Sequence, residues 1–345
     1  MRRDARHVGE GRRVDPRIAL EQRLSSSRHV PVTRVEHCPR MTAPNNNMPY
    51  QNTNPFFVVG AQRSGTTMLR LMLNAHPRLV VPFESAFIPK YHRRAGEYGD
   101  LSQPANIARL LDDIRGEPHV ARGGLVTDPA AVLAASPRSY AELVRSIFER
   151  HAAAKGKPRW GDKTPGYGSD LDILWQLFPG CRVIHVVRDG RDVALSNRGI
   201  SWGVCSMPRI ASLWRWETML TRKLGNMIGA HYMEVRYEDL VRNPERELRR
   251  ICAHIEEDFD RAMLDYHRSA RDEMPQESLQ WHGSSITPPD DAKVFQWRRA
   301  LSLADRIIFE DHAGDALEAF GYLRENHPPT VRSRARMLIY AALGR

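Results

Sequence analysis

The 345-residue sequence predicts an α/β domain: a P-loop-like, three-layer architecture with a mainly parallel sheet flanked by helices. Three observations carry that expectation. Short apolar, β-prone runs alternate with longer segments of helical period, as βαβ units require. The first such run ends in a loop bounded by two glycines that opens straight into a helix. The composition, 41% hydrophobic and 27% charged, is that of a globular enzyme large enough to bury a sizeable core.

The elements follow in order. Phe56–Val59 is a buried strand ending at Gly60, and Thr66–Leu73 is a helix stopped by Asn74-Ala75-His76-Pro77. Leu79–Val81 reads as a second strand. Residues 102–155 are mostly helical, broken at Gly116–Pro118, Gly123-Gly124 and Pro137. Arg182–Val187 is a strand that runs through Arg188-Asp189-Gly190 into a helix from Arg191. Residues 207–229 form a long helix bearing tryptophans, and Tyr232–Tyr237 is a further strand. Asn243-Pro244 opens the next helix with an N-cap and a proline at its first position. Ser302–Phe320 is the last amphipathic helix of the domain, and 268–296 is irregular. Trp160–Pro165 is not assigned an element, though Asp162 and Pro165 would suit a turn.

Charge is unevenly spread. Residues 1–54 hold ten arginines and five acidic residues, and 324–345 hold five arginines and one glutamate. Those two ends carry nine of the ten net positive charges, so the body, 55–323, is nearly neutral. We divide the chain into a basic leader (1–54) expected to be disordered, a folded α/β domain (55–323) and a basic tail or amphipathic helix (324–345). Met41 and Met48 are alternative starts within the leader. No run of about 18 apolar residues is present, so a transmembrane segment is not expected. The N-terminus lacks the apolar stretch of a secretory signal. Cys38, Cys181, Cys205 and Cys252 lack metal-ligand or redox spacing, and we expect reduced thiols in a cytoplasmic protein with no bound metal.

The most informative segment is Gly60-Ala61-Gln62-Arg63-Ser64-Gly65-Thr66-Thr67. Its G-x-x-x-x-G spacing lets successive backbone N–H groups converge on an anion at a helix N-terminus. The Walker form would place Lys at 66, followed by a magnesium-binding hydroxyl. Here Thr66 and Thr67 occupy those positions, and the cation, Arg63, stands inside the loop. A phosphate or sulfate cradle without the lysine and its magnesium chemistry is the resulting expectation.

With Asn74-Ala75-His76-Pro77 and Glu84-Ser85 following it, this loop resembles that of sulfotransferases using 3′-phosphoadenosine-5′-phosphosulfate (PAPS). The Arg-Ser-Gly-Thr-Thr form looks like the tyrosylprotein sulfotransferases and many bacterial members. Val187–Asp192 with Ser196, Val235–Leu240, and Phe295–Ser302 with Phe320-Gly321-Tyr322 are similar to later blocks of that family, in the same order. The resemblance implies a sulfotransferase fold over 55–323 and transfer of a sulfuryl group from PAPS to an acceptor hydroxyl or amine, releasing PAP.

The resemblance also implies roles. Arg63 would clamp the 5′-phosphosulfate, with Ser64, Gly65, Thr66 and Thr67 donating to the 5′-phosphate. Glu84 would be the catalytic base, its plain alternative being an ion pair with a nearby arginine. Lys163 would neutralise charge on the bridging oxygen, the plain alternative being a solvated turn lysine. Arg188 and Ser196 would hold the 3′-phosphate. Tyr237 would stand near the adenine or serve as a strand-end core residue. Lys293 and Arg298 are the preferred candidates of the late loop, where Ser284, Ser285 and Trp297 also lie. Arg191 reads equally as a solvated charge paired with Asp189 or Asp192, and His92, His119 and His151 read as surface or packing residues.

Two other functions were weighed. A P-loop nucleotide kinase or NTPase predicts magnesium-dependent ATP binding and lacks its lysine here. A non-enzymatic binder of nucleic acid or an anionic membrane surface would use the basic ends and would not need Arg63 or Glu84. The near-neutral body argues against nucleic acid as a partner. The acceptor is expected to be a small molecule, glycan or lipid held by 86–130, 199–212 and 266–290. Oligomeric state is left open, a homodimer included.

Overall fold

The computed structural model describes residues 54–198 and 206–342; the leader up to residue 53, 199–205 and 343–345 lie outside the described residues. The expectations for a disordered leader, for Cys38 and Cys205, and for the part of the acceptor region at 199–205 therefore fall outside them. Five strands form one sheet: β1 (Phe56–Val59), β2 (Leu79–Val80), β3 (Arg159–Lys163), β4 (Arg182–Val187) and β5 (Tyr232–Arg236). Their order is β2-β3-β1-β4-β5, with every neighbouring pair parallel.

Side-chain alternation in β1 explains the layering. Phe57 and Val59 enter one core, with Trp160, Phe178 and helix α2 (Tyr140–Ala154). Phe56 and Val58 enter the opposite core, with the helix that follows β1, α1 (Thr66–Asn74). β1 is central and buried on both faces, which is why its sequence is continuously apolar rather than alternating. A third core joins α3 (Gly190–Arg198), α4 (Met207–Met227) and α6 (Leu303–Ala319), around Trp214, Trp297 and Phe309.

Two elements differ from the sequence expectation. Residues 159–163 are strand β3, inserted between β2 and β1, where the sequence reading assigns no strand. All five residues of Arg-Trp-Gly-Asp-Lys are buried; Arg159 bonds to Asn54 and Glu257, while Asp162 and Lys163 meet Ser85 and Glu84. Gly161 accepts the Phe56 ring, which an added Cβ would meet at 2.4 Å. The second difference is Tyr237, which opens a short helix, α5 (Tyr237–Arg242), instead of ending β5.

The described part of the tail carries helix α7 (Val331–Ala342). It packs on the domain through Met337 and Tyr340, and Arg336 bonds to Asp305 and Ser302 beside the start of α6. Among the described residues no helix is long and apolar enough to cross a membrane.

Candidate active site

The loop between β1 and α1 sits at the carboxyl ends of the parallel strands, where open α/β sheets place ligands. Arg63 and Gly65 both have left-handed backbone, φ 71° and 92°, and the Ser64 amide between them closes the turn onto the Ala61 carbonyl at 3.2 Å. Gly65 is the N-cap of α1 and offers no side-chain cap, and the first turn of the helix carries no acidic residue. The Ser64 hydroxyl is fully buried with no protein partner among the described residues. A cradle of uncapped amides and an orphaned buried donor is what a bound anion would satisfy.

Gly65 also has a packing reason. Tyr237 lies against it, so a Cβ at residue 65 would come within 2.3 Å of the ring. Tyr237 is buried and belongs to the core on the α1 side of the sheet. Its face takes the Arg188 guanidinium 4.5 Å from the centroid, and burial raises its phenol pKa while Arg188 opposes the shift.

Arg188 and Arg63 stand side by side. Arg188 donates to the main-chain oxygens of Arg63 and Lys293, each at 3.2 Å, and lies 3.9 Å from Asp192. Arg63 donates through Nε to Ser196 Oγ and through Nη2 to the carbonyl of Trp281, both at 3.0 Å. Burial and the neighbouring Arg188 charge depress the Arg63 pKa. Two half-buried guanidinium groups bonded largely to neutral oxygens, with Arg188 Nε unpartnered, make a strongly electropositive recess. Lys293 enters it through its carbonyl. Arg298 does not: it is exposed, its guanidinium resting over Phe295 and Trp297.

Arg191 corrects the reading as a solvated charge. It is buried, forks onto Asp189 at 2.8 and 3.0 Å and reaches Glu310 at 2.7 Å. Trp297 donates to Asp189 from its ring and to Asp192 from its backbone. Glu238 accepts from the Asp189 backbone and from Tyr322 at 2.7 Å. The resembling blocks at 187–192, 235–240, 295–302 and 320–322 thus meet in one polar brace beneath Arg188. The sequence could not show that, since these residues are far apart in the chain.

On the other side of the loop, Lys163 and Glu84 form an ion pair at 2.5 Å, and the Lys163 ammonium also approaches Thr67 Oγ1 at 3.4 Å. Lys163 is wholly buried, so it is not a solvated turn residue; burial lowers its pKa and Glu84 opposes the shift. Phe83 packs beneath the ammonium. Next to each partner lies a residue that sequence reasoning missed. Asp162 is fully buried, accepts from Ser85 Oγ at 2.5 Å, and is pushed up to about 7 by burial, which the Ser85 bond and Lys163 resist. Burial also lowers the His119 pKa, with Glu84 and Lys163 both close enough to act on it, so its surroundings include that ion pair.

The arrangement is a phosphate cradle flanked by a two-arginine recess and by a buried lysine–carboxylate pair. Similarity to known proteins is consistent with it. Residues 55–261 match the model described as the sulfotransferase family. An uncharacterized protein of Aquifex aeolicus is 22% identical over 64% of this chain, which spans only 28% of that relative's length. Protein-tyrosine sulfotransferase A of Caenorhabditis elegans is 21% identical, covering 81% of this chain and 70% of its own. The sulfotransferase domain of the Synechococcus PCC 7002 olefin synthase superposes with a TM-score of 0.50 at 27% identity, covering 77% of this chain and 97% of that one.

Proposed function

The chain belongs to the sulfotransferase family, an enzyme family of sulfuryl transfer, and from that premise we propose that its donor is PAPS, used without a metal ion. The observation that carries this reading is the Arg63–Arg188 recess joined to the helix N-terminus at residues 65–67, which has no side-chain cap, and to the buried Ser64 hydroxyl. A nucleotide with phosphates on both its 3′ and 5′ positions presents anions to both parts at once, and PAPS supplies the transferable sulfuryl group. Arg188 and Ser196 receive the 3′-phosphate. Arg63 exchanges its Ser196 and Trp281 contacts for the nucleotide, and Ser64 and Thr66 donate to the 5′-phosphate.

Lys163 and Glu84 divide the chemistry. Glu84 takes the acceptor's hydroxyl proton as the acceptor oxygen bonds to sulfur, and the sulfur–oxygen bond to the 5′-phosphate breaks. Lys163 stabilises the negative charge left on that phosphate oxygen. Within their ion pair the two groups neutralise each other. A negatively charged donor draws the ammonium toward itself and frees the carboxylate to act as base. The acceptor is a hydroxyl of a small molecule, glycan or lipid, and the enzyme works in the cytoplasm.

Calorimetry with PAP, ATP and ATP–magnesium tests the donor. PAP is expected to bind in EDTA-treated buffer, and ATP, lacking a 3′-phosphate, to bind at least about tenfold more weakly with or without magnesium. Equal or tighter binding of ATP–magnesium would sink the reading in favour of a nucleotide kinase.

A further inference from the structure

Glu84 and Lys163 come from different strands' ends, yet their separation decides whether one can act as base while the other stabilises the leaving oxygen. The side chains themselves are long and flexible. What holds their backbones in register lies one residue away from each. Ser85 follows Glu84 and Asp162 precedes Lys163, and these two buried side chains bond to one another at 2.5 Å. The contact does not stand alone. Ser85 Oγ also meets the Tyr167 hydroxyl at 2.9 Å, and that hydroxyl accepts from the Ile88 amide at 2.8 Å. Thr164 Oγ1 lies 3.4 Å from Asp162 and accepts from the Ala86 amide at 3.4 Å. The chain after Glu84 is therefore stitched to the chain after Lys163 by buried hydroxyl groups with Asp162 at their centre. Ala86 sits within this stitching with left-handed backbone, φ 54°, a conformation that a non-glycine residue keeps only where its surroundings impose it.

A buried carboxylate costs free energy unless it does something for the fold or the site. Here it faces Ser85 and Thr164 directly, with the Lys163, Glu84 and Tyr167 groups around it. Its bonds end on the two segments that carry the catalytic pair. We propose that Asp162 is a positioning residue for sulfuryl transfer: through Ser85 it fixes Glu84 against Lys163, without itself touching either substrate. The inference rests on the assignment of Glu84 and Lys163 as base and leaving-oxygen stabiliser.

Asp162→Asn and Ser85→Ala, made in the full chain, test it. Each is expected to bind PAP within about threefold of wild type and to release PAP from PAPS, with water as acceptor, at least about thirtyfold more slowly, as small misplacements of reacting groups do. The double variant is expected to be no slower than Asp162→Asn alone, because both remove one connection. Ser85→Thr, which keeps the hydroxyl, is expected to recover most of the rate. Crystal structures of wild type and Ser85→Ala give a readout that needs no turnover: the Glu84–Lys163 contact is expected to lengthen or break. Release within about threefold of wild type in both variants, an equal loss of PAP affinity and rate, or an unchanged Glu84–Lys163 contact would each overturn the proposal. Should Asp162→Asn fail to fold, Ser85→Ala decides. A wild-type protein that neither binds PAP nor releases it from PAPS would instead defeat the donor assignment, while the two crystal structures still judge the positioning role.

Discussion

Arg188→Ala is expected to raise the PAP dissociation constant by about a hundredfold or more while leaving the protein folded. The size follows from the chemistry of the lost group. A guanidinium receiving a phosphate makes two charge-assisted hydrogen bonds, each worth about 1.5–3 kcal/mol, and about 1.4 kcal/mol is tenfold in affinity. The folded state has less to lose. Arg188 bonds at 3.2 Å to two main-chain oxygens and lies 3.9 Å from Asp192, so its contacts within the protein are long. Its aromatic partner, Tyr237, stays packed against Gly65 without it. Calorimetry with PAP, alongside a thermal melt, reads both quantities. Affinity within about threefold of wild type would remove Arg188 from the 3′-phosphate site.

Glu84→Gln is expected to lower the turnover number by about a hundredfold to ten-thousandfold with PAP affinity nearly unchanged, as loss of a general base does. Glutamine keeps an oxygen for the Lys163 ammonium, so the variant removes the charge and basicity more than the contact. The pH profile adds a signed expectation. Lys163 has to be protonated to stabilise the leaving oxygen, and burial lowers its pKa below that of a free lysine. Activity should therefore fall as pH rises through that depressed value. Glu84 favours the ammonium, so in Glu84→Gln the alkaline limb of the residual activity should move to still lower pH. Unchanged turnover in the variant would take Glu84 out of its role.

Much of this site was legible in the sequence, for physical reasons that differ from residue to residue. The cradle at 60–67 is local: two glycines, an arginine and two hydroxyls within eight residues fix backbone and chemistry together. β1 and β4 were legible because central strands buried on both faces must be continuously apolar. β3 was not, because Arg159, Asp162 and Lys163, whose partners are distant in sequence, break the apolar pattern that marks a buried strand. The strand buries Lys163 completely, which removes its plain alternative as a solvated turn lysine. Arg191 was equivocal because Asp189 and Asp192 offer partners close in sequence, while the partner that marks it as internal, Glu310, is 119 residues away. Asp162 carried no signal at all; a carboxylate beside a lysine in sequence says nothing about Ser85, 77 residues earlier. Arg298 shows the opposite case, a plausible cation in the late loop whose side chain faces outward.

The central claim, metal-free use of PAPS, is tested most directly by supplying sulfur-labelled PAPS to the protein in EDTA-treated buffer with phenolic, sugar and lipid alcohols as acceptors. PAP is expected to accumulate with matching label in a sulfated product, or in sulfate where water serves as acceptor, and magnesium is expected to add nothing. No PAP release with any acceptor, together with magnesium-dependent consumption of ATP by the same preparation, would contradict it.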